Sequence, residues 1–313
     1  MSMSVLLNSP VAFQLGSLEI RWYGIIIAAA VVLAIALACR IARLRGLTVD
    51  NVIDFALVAV PLGVICARLY YVIFSWDEFI DNPVDIIWIQ KGGLAIYGAV
   101  IGGVLAAFIY AKIKKINVLA VLDVAAPVVV LAQCIGRWGN FANQEAFGRP
   151  VVNQAMQWFP YAVFIEDQQR WFQATFFYES LWCLIVCGIL FSFFLGLGPI
   201  KKLNRSWAVK RGFDPGPRAL PAGNIAFMYL ALYGLGRAFI EPLRSDALII
   251  GSSLRVSYLL SIILVVGGAI GLYMNYRHGQ PATELPKNTK VQVRPVIKEE
   301  PAEMDDDPED ADA

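Results

Sequence analysis

The chain has 313 residues, of which 58% are hydrophobic and 16% charged, with a formal net charge of +1. Soluble domains carry about 25% charged residues, so this composition excludes a soluble globular protein and points to a polytopic membrane protein. A net charge this small gives no electrostatic footprint for nucleic acid.

Residues 1–20 lack a basic n-region and a small-residue cleavage site, so no signal peptide is expected. Seven apolar segments follow, each near the about 20 residues that a helical span needs. The first, about Trp22–Cys39, has Arg21 before it and Tyr23 inside it. The second, Val52–Phe74, carries Asp54 and Arg68 towards opposite ends. The third, Gly92–Ala111, includes Tyr97. The fourth, Ile116–Ile135, holds Asp123 and Pro127 and is expected to end just before Arg137. The segment Val151–Thr175 is rich in aromatics, which suggests a loop lying at the membrane interface. The fifth span, Phe176–Leu197, opens near Glu179, and its many aromatics read as lipid-facing surface. In the sixth, Ile225–Ile240, Tyr233, Arg237 and Glu241 recur every four residues and share one helix face. Arg244 rejoins that face unless Pro242 bends the chain. The seventh span is Val256–Met274.

The expected fold is therefore all-α, with seven transmembrane helices. A catalytic membrane domain covers residues 1–275, with an outer loop at 137–175 and an inner loop at 198–222. Residues 276–313 form a disordered acidic tail, because like charge with little apolar content cannot build a core.

Basic residues set the orientation. Arg40, Arg43 and Arg45 follow the first span, and Lys112, Lys114 and Lys115 follow the third. Lys201, Lys202, Arg205, Lys210, Arg211 and Arg218 follow the fifth, and the tail holds Arg277, Lys287, Lys290, Arg294 and Lys298. These are seventeen of the 26 Lys and Arg. The positive-inside rule puts them in the cytoplasm, with the N-terminus outside and the C-terminus inside. Arg21, Arg68, Arg137, Arg237 and Arg244 then gather with Glu145, Glu179 and Glu241 at the outer side. The surplus of arginine suits an anionic lipid headgroup. The glutamates read as groups that orient the arginines.

The most informative stretch is Gly136-Arg137-Trp138-Gly139-Asn140-Phe141-Ala142-Asn143-Gln144-Glu145-Ala146-Phe147-Gly148. Charged and amide groups at bilayer depth are costly and mark a polar ligand. The arginine fork suits phosphate, and glycine permits close approach. Cys39, Cys66, Cys134, Cys183 and Cys187 have spacings that suit neither zinc nor a disulfide framework. The one histidine, His278, lies in the tail. No metal and no cofactor are expected.

This motif resembles the hallmark of the bacterial prolipoprotein diacylglyceryl transferases. Matching segments fall in order: Arg21-Trp22-Tyr23-Gly24, Ala67-Arg68-Leu69-Tyr70-Tyr71, Gly92-Gly93-Leu94, Tyr178-Glu179, and Tyr233-Gly234 with Arg237, Glu241, Arg244 and Asp246. The resemblance spans about Pro10 to Tyr276. Two departures stand out. Tyr97 occupies the family's usual histidine position, and Gln173-Ala174 replace a histidine-proline pair.

The resemblance implies transfer of the diacylglyceryl group of phosphatidylglycerol to the lipobox cysteine of a prolipoprotein signal peptide. A thioether forms and glycerol 1-phosphate leaves, the first step of lipoprotein maturation in the bacterial inner (cytoplasmic) membrane. Arg237, Tyr97, Tyr23 and Glu241 are the expected catalytic residues. Arg137, Asn140, Asn143, Glu145, Gly148, Arg244 and Arg68 are expected to bind the phosphatidylglycerol. The alternatives are a non-catalytic or weakened lipid-binding paralogue and a lipid transporter. A transporter should spread polar groups across the membrane and show repeats, whereas here they crowd one side.

Overall fold

A computed structural model describes residues 10–16, 18–89, 92–210, 220–244, 249–250 and 254–279. Arg211, Arg218, Asp246 and the tail beyond residue 279 lie outside the described residues. The chain folds into eight helices among the described residues: α1 Trp22–Ile41, α2 Val49–Phe74, α3 Ile96–Lys114, α4 Val118–Ala142, α5 Thr175–Leu195, α6 Ile200–Lys210, α7 Asn224–Ile240 and α8 Val256–His278. Six of these are long and apolar enough to cross a membrane. Helix α7, at 17 residues, is shorter than those six.

Local chemistry explains the helix ends. Thr48 Oγ1 accepts from Asn51 N while Asn51 Oδ1 accepts from Thr48 N, a reciprocal capping box for α2. Asn117 Oδ1 accepts from Leu119 N at the start of α4. Gly196, with φ +65°, closes α5 in the left-handed conformation that glycine adopts without steric cost.

The expected elements shift in several places. The fold is mostly helical, but three antiparallel hairpins interrupt it. They are β1 Val11–Leu15 with β2 Leu18–Arg21, β3 Ala162–Ile165 with β4 Arg170–Gln173, and β5 Ile249–Ile250 with β6 Leu254–Arg255. Helix α3 starts at Ile96, because Gly92 and Gly93 adopt φ of +93° and +75°. Helix α4 passes the expected end at Ile135 and runs to Ala142, so half of the glycine-rich motif is helical. Glycine inside a helix costs about 1 kcal/mol relative to alanine, but tertiary packing outweighs that here. Gly139 lies under the Tyr23 ring, where an added Cβ would meet Cδ2 at 2.8 Å. The inner loop contains α6, and α8 continues through His278, past the expected domain boundary. In α5, Phe176 and Phe194 are buried; these two rings pack inwards where lipid contact was expected.

Helices α1 and α5 flank α4, α7 packs on α4 and α5, and the pairs α2–α3 and α7–α8 lie close together. Small residues permit the closest approaches. Gly98 and Gly102, four apart on α3, rest on the backbone of Cys66, Leu62 and Gly63 in α2, the small-xxx-small geometry of membrane helices. Val130, Val186, Leu190 and Ile225 form the solvent-free centre of the bundle. Large apolar side chains such as Leu57, Ile65, Ile73, Leu184 and Ile263 remain exposed on its outside. An exposed apolar surface of this extent marks lipid contact.

At the end of the bundle away from the motif, Asp123 is fully buried. It accepts from Gly223 N at 2.9 Å and Ala226 N at 3.0 Å. It thereby caps α7 from another helix, since Gly223 offers no side chain for the task. Arg45, Nε 3.6 Å away, supplies the counter-charge and donates to Leu220 O.

Candidate functional site

The site forms where α4 ends, α5 begins and α7 ends. Glu179, in the first turns of α5, is 5% exposed. Its Oε2 lies 2.5 Å from Arg137 Nη2, contributed by α4. Its Oε1 lies 2.8 Å from Arg237 Nη1 on α7 and 3.2 Å from Arg244 Nη1 beyond it. Arg237 Nη2 also reaches Glu241 Oε2 at 2.9 Å, one helical turn on. Helix α7 stops at Ile240, and residues Glu241–Leu243 form a 3-10 turn containing Pro242. Arg244 is therefore extended, yet its guanidinium still returns to Glu179.

The motif wraps this cluster. Arg137 Nη1 donates to Asn140 Oδ1 at 3.5 Å, and Asn140 Nδ2 donates to Glu145 Oε1 at 2.8 Å. Asn143 Oδ1 is buried with no hydrogen-bond partner among the described residues, so an acceptor is left for a donor from outside the chain. Gln144 and Ala146 have φ of +52° and +55°. This strained conformation in non-glycine residues persists only where the surroundings over-determine it. Here Gln144 Oε1 accepts from Glu166 N, and Ala146 O accepts from Thr175 Oγ1. The two left-handed residues turn Glu145 out towards Asn140.

Gly148 closes the turn. Its backbone bridges Arg244 and donates to Gln173 O. An added Cβ would sit 2.8 Å from both Gln173 Cβ and Thr175 Cγ2, so glycine is required by close approach rather than by φ. Arg149, which the sequence reading passed over, donates to Pro242 O and straps the turn to the end of α7. The outer segment forms a small core of its own. Phe172 and Phe176 are buried in it, with Trp138, Phe141, Phe147 and Phe177 packed alongside.

The remaining candidates fall elsewhere. Tyr23 packs on Gly139 at the motif's edge. The Tyr97 hydroxyl lies 3.0 Å from Ser257 Oγ of α8, and its ring tilts against Tyr70. Arg68 is 7% exposed and turned away from the cluster's partners. It donates to the carbonyls of Asp85, Ile86, Gly92 and Gly93, which commits four of its five N–H groups. It ties the α2–α3 connection together. The Arg21 guanidinium makes an exposed contact with Glu19 at 3.9 Å.

Trp182 and Gly236 have no chemical signature in the sequence, yet they join α5 to α7 beside the cluster. Trp182 Nε1 donates to Leu232 O, and its indole fills the space a Gly236 side chain would take. A small cavity beside Glu179 and Arg237 is lined by Trp182, Cys183 and Tyr233. No group of three or more His, Cys, Asp or Glu that could hold a metal occurs among the described residues.

Residues 10–274 match the family model described as prolipoprotein diacylglyceryl transferase. The phosphatidylglycerol–prolipoprotein diacylglyceryl transferase of Streptococcus mutans is 43% identical over 272 residues, covering 86% of this chain and 96% of the relative. Its namesake in Lysinibacillus sphaericus is 39% identical over 274 residues, covering 86% and 92%. That of Clostridium botulinum is 40% identical over 269 residues, covering 85% and 96%.

Proposed function

Because the chain belongs to the prolipoprotein diacylglyceryl transferase family, we propose that this multi-pass membrane protein transfers the diacylglyceryl group of phosphatidylglycerol to a prolipoprotein cysteine. The substrate sulfur attacks the glyceryl carbon, a C–S bond forms, and the C–O bond to phosphate breaks. The electron pair leaves with the phosphate oxygen, giving glycerol 1-phosphate and a thioether. The thiol proton departs to a relay group or to water, since the thiolate is the nucleophile. The displacement balances with no metal or nucleotide.

One observation carries the reading: three guanidiniums from separate elements converge on the buried Glu179 beside two asparagines of the motif. Fixed cations in a dry site stabilise charge that develops on a leaving phosphate. Arg137 and Arg244 hold the headgroup phosphate, and Arg237 stabilises the leaving group. Asn140 and Asn143 bind the headgroup hydroxyls, and the unpartnered Asn143 Oδ1 suits a hydroxyl donor. Glu145 orients Asn140, and Gly148 holds the turn. Tyr97, Tyr23 or Glu241 relays the thiol proton. Arg68 serves the lipid by shaping the wall around it.

The domain division belongs to the same reading, a membrane domain whose last helix runs through His278 followed by the acidic tail. Helix α7 acts as a seventh span, its about 25 Å of rise extended by the 3-10 turn. The arginine cluster faces outwards and the basic loops face the cytoplasm of a bacterial inner membrane. The lipobox signal peptide enters laterally between helices. Purified protein with radiolabelled phosphatidylglycerol and a lipobox peptide tests the reading. Arg137→Lys keeps the charge and loses the fork, so lipid affinity should fall. Arg237→Ala should lower the saturated rate by about 100-fold or more. Near-full transfer by Arg237→Ala at saturating lipid would remove the leaving-group role.

A further inference from the structure

Helix α4 carries an amide inside its apolar stretch. Gln133 follows Val128-Val129-Val130-Leu131-Ala132 and precedes Cys134-Ile135, in a helix long and apolar enough to cross a membrane. A polar side chain at that depth is costly and marks a partner. Its Oε1 accepts from the Tyr229 hydroxyl of α7 at 3.1 Å. The Tyr229 ring stacks on Tyr233, with centroids 5.6 Å apart. That hydrogen bond uses the amide's acceptor and leaves both Nε2 hydrogens as donors. The Gln133 side chain makes no other hydrogen bond among the described residues. Turned over, the amide would donate to the phenol and release its O–H instead, so the pair keeps a spare donor in either setting. Gln133 and Tyr229 are half-buried rather than sealed in the core, so that donor is open to a ligand.

We propose that Gln133 and Tyr229 hold an ester carbonyl of the diacyl lipid, one step deeper than the arginines that take its phosphate. The inference rests on the transfer reaction proposed above and extends its lipid site. Helices α4 and α7 start together, since Asp123 of α4 caps α7, and both run towards the arginine cluster. Arg137 stands one turn beyond Gln133, about 6 Å of rise. Arg237 stands two turns beyond Tyr229 and one beyond Tyr233. The pair and the cluster therefore line the same α4–α7 interface, with the pair nearer the middle of the bundle. A phosphoglyceride presents its groups in that order: phosphate, then the glyceryl ester carbonyls, then the acyl chains. The phosphorus and the carbonyls are separated by a comparable distance. An ester carbonyl accepts and does not donate, which is what a spare donor requires. Gripping the phosphate and the carbonyl together fixes the glyceryl carbon between them, the carbon that sulfur attacks, and such orientation lowers the barrier without adding charge. The pair binds the lipid, and no bond is made or broken at it.

The test is equilibrium binding to the full-length protein in detergent, comparing phosphatidylglycerol with its diether analogue of equal chain length, which lacks both ester carbonyls. The native protein should bind the diester about tenfold more tightly, because the ether leaves a donor unpaired. Gln133→Leu, similar in size and without donors, should weaken the diester, spare the diether and bring the ratio close to one. Tyr229→Phe should narrow the ratio, since it leaves the amide without its anchor. A pair that only joins α4 to α7 would weaken both lipids alike in Gln133→Leu and leave the ratio unchanged, which overturns the inference. So does a native protein with equal affinity for the two lipids, as expected of a pair that serves a carbonyl of the signal peptide, or one that binds neither.

If Gln133→Leu does not fold, the native protein and Tyr229→Phe still decide. An ester preference missing from the native protein, or undiminished in Tyr229→Phe, overturns the inference. Transfer to a lipobox peptide is measured in parallel with both lipids. Absence of transfer with the ester preference intact defeats the proposed reaction alone. Transfer with equal kcat/KM for the two lipids and no preference in binding defeats this inference alone.

Discussion

Tyr97 stands where the family resemblance implies a histidine, and the fold holds its hydroxyl against Ser257 of α8 at 3.0 Å. If the phenol donates to the Ser257 hydroxyl, the phenol oxygen can take the proton of the substrate thiol while its own proton passes through Ser257 to water. Tyr97→Phe should then slow the saturated rate by about 10²–10⁴-fold with lipid affinity preserved, and Tyr97→His should be tolerated. An unchanged saturated rate in Tyr97→Phe would move the relay to Tyr23 or Glu241. The contrast with Arg68 is instructive. Both look like site residues in the sequence, but Arg68 is absorbed by four backbone carbonyls. Arg137 and Arg237 were legible as candidate site residues because a charge at bilayer depth needs a polar partner. The work of Arg68 was hidden because carbonyl acceptors belong to every residue and leave no pattern.

Helix α4 links the two ends of the molecule. Its C-terminal turns carry Arg137 and Asn140 into the cluster, while Asp123 near its other end caps α7. The helix that presents Arg237 is thus anchored by the helix that presents Arg137. Asp123→Ala would remove two capping bonds and leave Arg45 as a buried charge without its carboxylate. Breaking such a pair costs about 3–5 kcal/mol, so the thermal midpoint in detergent should drop markedly. Asp123→Asn keeps an acceptor for the cap and should cost less. Equal stability of Asp123→Ala and the native protein would show that the cap carries no weight. Nothing local in the sequence marks Asp123 as a cap, because its partners Gly223 and Ala226 lie 100 and 103 positions away.

Across the molecule, polar chemistry is asymmetric. The arginine–glutamate cluster occupies one end of the bundle, and the Arg45–Asp123 pair and basic α6 lie towards the other. The orientation proposed from the positive-inside rule has the cluster facing outwards and the C-terminal tail in the cytoplasm. A cysteine introduced at Ala311, in a chain whose native cysteines are blocked or replaced, should resist membrane-impermeant thiol reagents in intact cells. It should react once the cells are permeabilised. Ready labelling in intact cells would invert the topology and place the cluster on the wrong side for secreted substrates.

The sequence by itself determined the membrane class, the order of the apolar helices and the residues rich in site chemistry. These follow from local facts: hydropathy sustained over about 20 residues, the cost of charge in lipid, and the motif from Gly136 to Gly148. The β3–β4 hairpin, the helical course of residues 136–142 and the partners of each arginine were decided only by tertiary structure. Glycines that weaken a helix in isolation are kept there by Tyr23 and Ile27 packing across α1 and α4. Glu179 becomes the hub of the site because three elements distant in sequence meet where its carboxylate stands. A charge has no preferred partner until packing brings one within reach, so the residues of the site were legible and its wiring was not.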